Sequence, residues 1–319
     1  MRYPLTASLR ALVLACVLPA AAWAQITFSF DYTTAEPENN GFNDATLGAT
    51  RRAALESAAG TLASYFTGYA ARTVTIRVSA SQSSGAGFLA SAGSLYFQTA
   101  NSFQPGLVAS MIQTGNNYGQ AYLGTVQWDF GYNWSYGDSV AAGTYDFKAV
   151  AMHELMHAVG FASLINASGE SALGNNTWSA FDQFLTDAAG NPLINATTKA
   201  FQGGTILSDG ISSDVYFSGS NAMAANGGQR VHIYSPASYA EGSSLSHLDT
   251  SFFTSTAYVM EHAVMSGLAA RTLSAIELGI LTDLGFSVSA SAIPEPSTYV
   301  LAAGLLALGL AALRRRQRV

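Results

Sequence analysis

Both ends of the chain are apolar runs set beside arginines, so any water-soluble fold has to be built from what lies between them. Residues 1–24 carry Arg2 and Arg10, then the apolar stretch Ala11 to Leu18, then Pro19 and the small-residue site Ala22-Trp23-Ala24. This is the three-part layout of a secretory signal peptide cut after Ala24. At the other end a small-residue linker, Ser287 to Ala292, leads into Pro294-Glu295-Pro296, the apolar run Tyr299 to Leu313 and the cluster Arg314-Arg315-Arg316-Gln317-Arg318. As a helix that run rises about 22 Å at 1.5 Å per residue, which becomes a membrane span once the flanking arginines snorkel. The arginines predict a cytoplasmic tail, which places the body of the protein outside the inner membrane. The folded part is then residues 25–290, with a leader at 1–24 and a linker and transmembrane tail at 291–319.

Setting the ends aside changes the chemistry available to the middle. The single cysteine, Cys16, falls in the leader. The exported chain then has no thiol, and disulfides, zinc–thiolate sites and cysteine nucleophiles are excluded together. Any metal must be held by His, Asp or Glu, and there are five histidines: His153, His157, His232, His247 and His262. Six of the 14 basic residues also sit in the ends, which leaves Gln25 to Ile293 with eight basic against 19 acidic residues, a net −11. A body this acidic argues against nucleic acid as a partner.

Periodicity places a strand at Ile26 to Tyr32 and a helix at Asn43 to Tyr69, with Leu55, Ala59, Leu62 and Phe66 on one stripe. A second strand follows at Ala71 to Val78, where Val74, Ile76 and Val78 alternate with Thr73, Thr75 and Arg77. After a polar, Gly- and Ser-rich stretch, Gly124 to Trp134 reads as another strand, ending in the aromatic cluster Trp128, Phe130, Tyr132 and Trp134. Asp146 is the N-cap of a helix running to Val159 and stopped by Gly160. Turn-rich segments then alternate with short apolar ones, Trp178 to Leu185 and Val231 to Tyr234, before a last helix at Ala269 to Leu284. This order predicts an α+β domain with lobes at about residues 25–161 and 162–290.

The helix after Asp146 carries the chemistry. Phe147, Ala151, Leu155 and Ala158 form an apolar stripe, and a different face carries His153-Glu154-Leu155-Met156-His157. Histidines four apart on a helix are separated by about 40° of rotation and one turn of rise, so both imidazoles reach one ion. Glu154 lies about 100° from His153 and 60° from His157, close enough to address a water on that ion without binding it. A hydrolytic zinc site takes three protein ligands, so a third must come from elsewhere. The candidates are His247, His262 and His232, with Asp249 and Glu261 as carboxylate alternatives.

Two family resemblances bear on these residues. The Pro-Glu-Pro, apolar run and terminal arginine cluster resemble the PEP-CTERM sorting signal of exopolysaccharide-producing Gram-negative bacteria. That resemblance implies processing by an exosortase and release or display at the cell surface. The segment His153 to Phe161 resembles the metzincin signature, His-Glu-x-x-His-x-x-Gly-x-x-His, but Ser163 stands where the last histidine of the common version falls. It is similar to the leishmanolysin-like proteases, in which Gly-Phe follows the helix and the last histidine comes much later, ahead of a turn with a methionine beneath the metal. His247, 90 residues after His157 and 18 before Met265-Ser266-Gly267, matches that order. The resemblance therefore implies His153, His157 and His247 as zinc ligands and Met265 as the turn methionine.

It further implies a zincin/metzincin-like fold, with a twisted mixed sheet and the active-site helix in the N-terminal lobe and an irregular C-terminal lobe. The implied activity is a zinc metalloendopeptidase with Glu154 as general base, acting on a polypeptide bound along Gly124 to Trp134 as the edge strand. Since the first strand begins beside Gln25, there is little room for an inhibitory prosegment. The alternative is a surface or biofilm-matrix protein, stabilised by the same metal on a protease-like fold and without catalysis. Glu154 distinguishes the two, because a purely structural site has no use for a base beside the metal.

Overall fold

The computed structural model describes residues 26–33, 41–82, 87–208, 210–253 and 258–289. The leader, its cleavage site and the sorting tail lie outside the described residues. Among those described, no helix is long and apolar enough to cross a membrane.

The first half is built on a four-stranded mixed sheet. Strands β1 (Ile26–Asp31) and β2 (Arg72–Ser81) run parallel, joined by helix α1 (Gly48–Tyr65). Val74, Ile76 and Val78 are fully buried on one face of β2, as their alternation predicts. The helix is shorter than its apolar pattern at both ends. The Asp44 carboxylate accepts the N–H groups of Thr46 and Leu47, holding the chain in a turn ahead of Gly48. Beyond Tyr65 the chain is extended, and Phe66 pairs with Val288.

The polar Gly- and Ser-rich stretch holds three elements that the sequence does not announce: β3 (Ala90–Ser94), β4 (Ser102–Gln104) and α2 (Leu107–Thr114). Strand β5 (Gly124–Asp129) pairs parallel with β2 and antiparallel with β3, giving the order β1-β2-β5-β3. This corrects the expectation that Gly124 to Trp134 is the edge strand: it ends at Asp129 and is interior, and the edge is β3. Strands β4 and β8 (Thr177–Ser179) make a small parallel pair that ties the two halves of the chain.

After β5 a short parallel pair, β6 (Trp134–Ser135) and β7 (Tyr145–Asp146), feeds α3 (Phe147–Val159), which packs beside α1 and against β3 and β5. The sequence places this helix at its observed bounds, and the reason is local. The Asp146 carboxylate accepts the Ala149 N–H as N-cap, and Gly160 adopts φ 123°, which no side-chain-bearing residue takes without strain. Except for the half-buried Lys148, every residue of α3 is buried, including the face that carries the histidines.

The second half has little regular structure. It contains the three-stranded antiparallel sheet β9 (Leu185–Thr186), β10 (Val215–Phe217) and β11 (Val231–Ile233), with β10 central, and two helices, α4 (Ser220–Ala225) and α5 (Ala275–Asp283). The final helix starts six residues later than its apolar pattern because Ser274 and Glu277 form a reciprocal capping box. Gly279 lets α4 lie against α5: a Cβ there would come within 2.7 Å of the Ala222 Cα. The last described residues return to α1, with Thr67 N–H donating to the Ser287 carbonyl and Ser289 N–H to that of Tyr65.

One buried ion pair joins the two halves. Asp146 is fully buried, and besides capping α3 it receives a bidentate contact from Arg271, with Nε at 3.0 and 2.9 Å and Nη2 at 2.8 Å. Arg271 also donates to the Gly137 carbonyl. Removing the guanidinium leaves a fully buried carboxylate with only the N–H groups of Ala149 and Ala269 as partners, so Arg271→Met is expected to cost about 3 kcal/mol in denaturant unfolding. A loss below about 1 kcal/mol would show that the pair contributes no more than a surface contact.

Candidate metal centre

Helix α3 and the loop before Asp249 bring three histidines together from opposite halves of the chain. The Nε2 atoms of His153, His157 and His247 are mutually 3.1 Å apart in all three pairs. Each side chain is at least nine-tenths buried. Each Nδ1 faces a backbone carbonyl: Val259 for His153 at 2.6 Å, Phe161 for His157 at 2.8 Å and Ser243 for His247 at 2.8 Å. A carbonyl oxygen only accepts, so each Nδ1 carries the proton and each Nε2 presents a bare lone pair.

Three lone pairs directed at one point repel unless a cation lies between them. Burial, the largest cause, holds His153 down to about 4 and His157 down to about 3, with the neighbouring imidazole adding to the effect at His157. His247 is likewise held well below the ordinary histidine range, first by burial and then by the other two rings. The three are therefore neutral at physiological pH, the form that binds metal. Nitrogens held about 2.0–2.1 Å from a zinc ion in tetrahedral array stand about 3.3 Å apart, so the donor set fits a single small divalent ion. Among the described residues this is the cluster of His, Cys, Asp or Glu groups able to hold a metal.

Glu154 lies beside the triad, 5% exposed, with no hydrogen-bond partner for its Oε2. Burial raises its carboxyl to about 8. Glu154 and the three histidines line a cleft of about 740 Å³. One wall of that cleft is Gly87 to Ser94, which includes all of β3, and the other is formed by the segments 241–247 and 261–264. The outer edge of β3 has no paired strand among the described residues.

The remaining sequence candidates are placed as follows. His262 lines the cleft but stacks on Tyr234 at 3.7 Å between ring centroids, outside the triad. His232 lies in β11, stacked on Phe252 at 3.7 Å. Asp249 caps a short 3₁₀ turn and accepts the Ser213 hydroxyl, and Glu261 accepts the Thr250 hydroxyl. Met265 does not pack beneath the histidines, since it is 82% exposed. The buried methionine of this segment is Met260, fully enclosed and next to Val259, whose carbonyl orients His153. The segment carries two methionines five residues apart, and the Met-Ser-Gly pattern selects the outer one. In the aromatic cluster Trp128 and Phe130 are core residues, while Tyr132 reaches the cleft.

Asp182 is a residue that sequence reasoning missed. Fully buried in the 3₁₀ turn before β9, it accepts the N–H groups of Leu164 and Ser179 through Oδ2 and so fixes the cleft wall at Ser163 and Leu164. Its signal in the sequence is only an acid inside an apolar segment.

Residues 292–316 match the PEP-CTERM protein-sorting motif. That motif is recognised by an exosortase and marks export and membrane-anchored sorting in Gram-negative bacteria. No curated protein matches the chain.

Burial raises the Asp182 carboxyl to about 6 against backbone and Ser163 hydrogen bonds that act to lower it. A raised carboxyl contributes stability that is complete below about pH 4 and lost as pH rises through about 6. Relative to Asp182→Asn, the wild type is therefore expected to lose about 2 kcal/mol of unfolding free energy between pH 4 and pH 7. A difference that stays constant with pH in paired denaturation curves would refute the ionisation of this group as its cause.

Proposed function

We propose that the protein is an exported, surface-sorted zinc metalloendopeptidase of zincin/metzincin-like architecture, with His153, His157 and His247 as metal ligands and Glu154 as general base. The observation that carries this reading is the convergence of three unprotonated Nε2 atoms at 3.1 Å beside a buried glutamate whose Oε2 has no hydrogen-bond partner. His153, His157 and His247 would hold a zinc ion, which would supply Lewis acidity to a peptide carbonyl and to the attacking water.

The chain's own residues do the rest. Glu154 takes a proton from the attacking water and later passes it to the leaving nitrogen. With no partner for its Oε2, the carboxylate is free to address that water. The substrate is an extended polypeptide adding as a strand to the open edge of β3, with side chains alternating into the cleft and out to solvent. Sorting by an exosortase would then bring the activity to the cell surface or the surrounding medium.

Two variants separate catalysis from metal binding. Glu154→Gln is expected to keep bound zinc in metal analysis and to lose casein or gelatin cleavage by at least about 100-fold. His247→Ala is expected to lose the metal, whereas His262→Ala retains it. Full hydrolysis by Glu154→Gln would refute the base assignment. A zinc-replete wild type inert toward polypeptides would favour instead a non-catalytic, metal-stabilised matrix protein.

A further inference from the structure

Two of the three histidines find their orienting carbonyl within their own turn of chain. His157 uses Phe161 and His247 uses Ser243, each four residues away. His153 does not: its partner is Val259, 106 residues on, so its orientation depends on whatever fixes that remote peptide.

The group that fixes it is a carboxylate with one more partner than its helix requires. Glu277, in the first turn of α5, is fully buried, and its Oε2 accepts the Ser274 N–H at 2.7 Å to close the capping box. A capping box uses one oxygen. The other, Oε1, accepts the N–H of Met260 at 2.7 Å. Met260 in turn connects both remote ligands. The carbonyl of its predecessor, Val259, receives the His153 Nδ1–H, and its own carbonyl accepts the N–H of Leu248, the residue after His247, at 2.8 Å.

We propose that Glu277 is a positioning residue for the metal centre, its second carboxylate oxygen holding the Val259–Met260 peptide that aims His153 and braces the chain at His247. The proposal rests on the reading of the three histidines as metal ligands. The group that orients His153 through its other nitrogen is the Val259 carbonyl, a kind of partner whose loss typically changes metal affinity by about 10–100-fold, and Glu277 acts on it one hydrogen bond further out.

The test compares two substitutions in the full chain. Glu277→Gln keeps the size of the side chain but has a single acceptor oxygen, and its amide N–H atoms face another donor. Ser274→Ala weakens the same helix start while leaving the Met260 bond intact. Glu277→Gln is expected to weaken zinc binding by about 10–100-fold in chelator competition and to alter the visible absorption of the cobalt(II)-loaded protein. Ser274→Ala is expected to keep the wild-type cobalt spectrum, although both lower the melting temperature of the metal-free form.

Wild-type zinc affinity and cobalt spectrum in Glu277→Gln would overturn the positioning role, as would an equal loss in Ser274→Ala. A wild type that takes up neither ion overturns this role and the metal-site reading together. Without any variant, the Met260 amide of the wild type is expected to exchange with deuterium as slowly as the buried amides of α5. Exchange at the rate of an open loop would overturn the proposal.

Discussion

The site depends on three hydrogen bonds in which an imidazole N–H is given to a backbone carbonyl. Because the carbonyls of Val259, Phe161 and Ser243 cannot donate, they settle the tautomer of every ring and turn three lone pairs inward. Burial then keeps the rings from escaping this arrangement by protonation, at the cost of leaving unpaired acceptors in a dry interior. A cation would resolve that conflict, provided the scaffold around each ring holds it rigidly in place.

Much of that rigidity comes from how the halves of the chain are joined. Helix α3 lies against the sheet on one side and presents its histidines to the irregular second half on the other. Its first turn is anchored through Asp146 to Arg271, in the segment leading to α5. The third histidine and the Val259 carbonyl belong to that second half. The two ends of α3 are thus held by different devices, a carboxylate–guanidinium pair at the start and a glycine turn at the finish, and the histidine spacing falls between them.

Where chemistry was encoded within one turn of chain, the sequence could be read directly. Asp146, Gly160 and the His153–His157 spacing define α3, and the strand that carries Val74 and Val78 follows from alternation. The cap Ser274-x-x-Glu277 was equally legible in principle, but the apolar pattern running back to Ala269 obscured it. What could not be read were properties fixed by partners far along the chain. Nothing in Ala90 to Ser94, a run of small residues, marks it as an edge strand, because that status is conferred by β5 on one side and by the lack of a paired strand among the described residues on the other. The choice between Met260 and Met265 failed for the same reason, since burial of Met260 depends on contacts made through Glu277 and Leu248. The remote partners of Glu277 and Asp182, Met260 and Leu164, are reached through their backbone N–H groups, which carry no residue signature.

The return of the chain to α1 has a mechanical consequence. Residues 287–289 are bonded to Tyr65, Thr67 and the Tyr69 hydroxyl just before the tail that bears the sorting motif begins. A pull on the chain beyond residue 289 would be borne first by this short clasp at the end of α1, and would reach α5 only after it yields. Strain entering from that end would thereby pass into the sheet-forming half, sparing the peptide on which His153 is aimed.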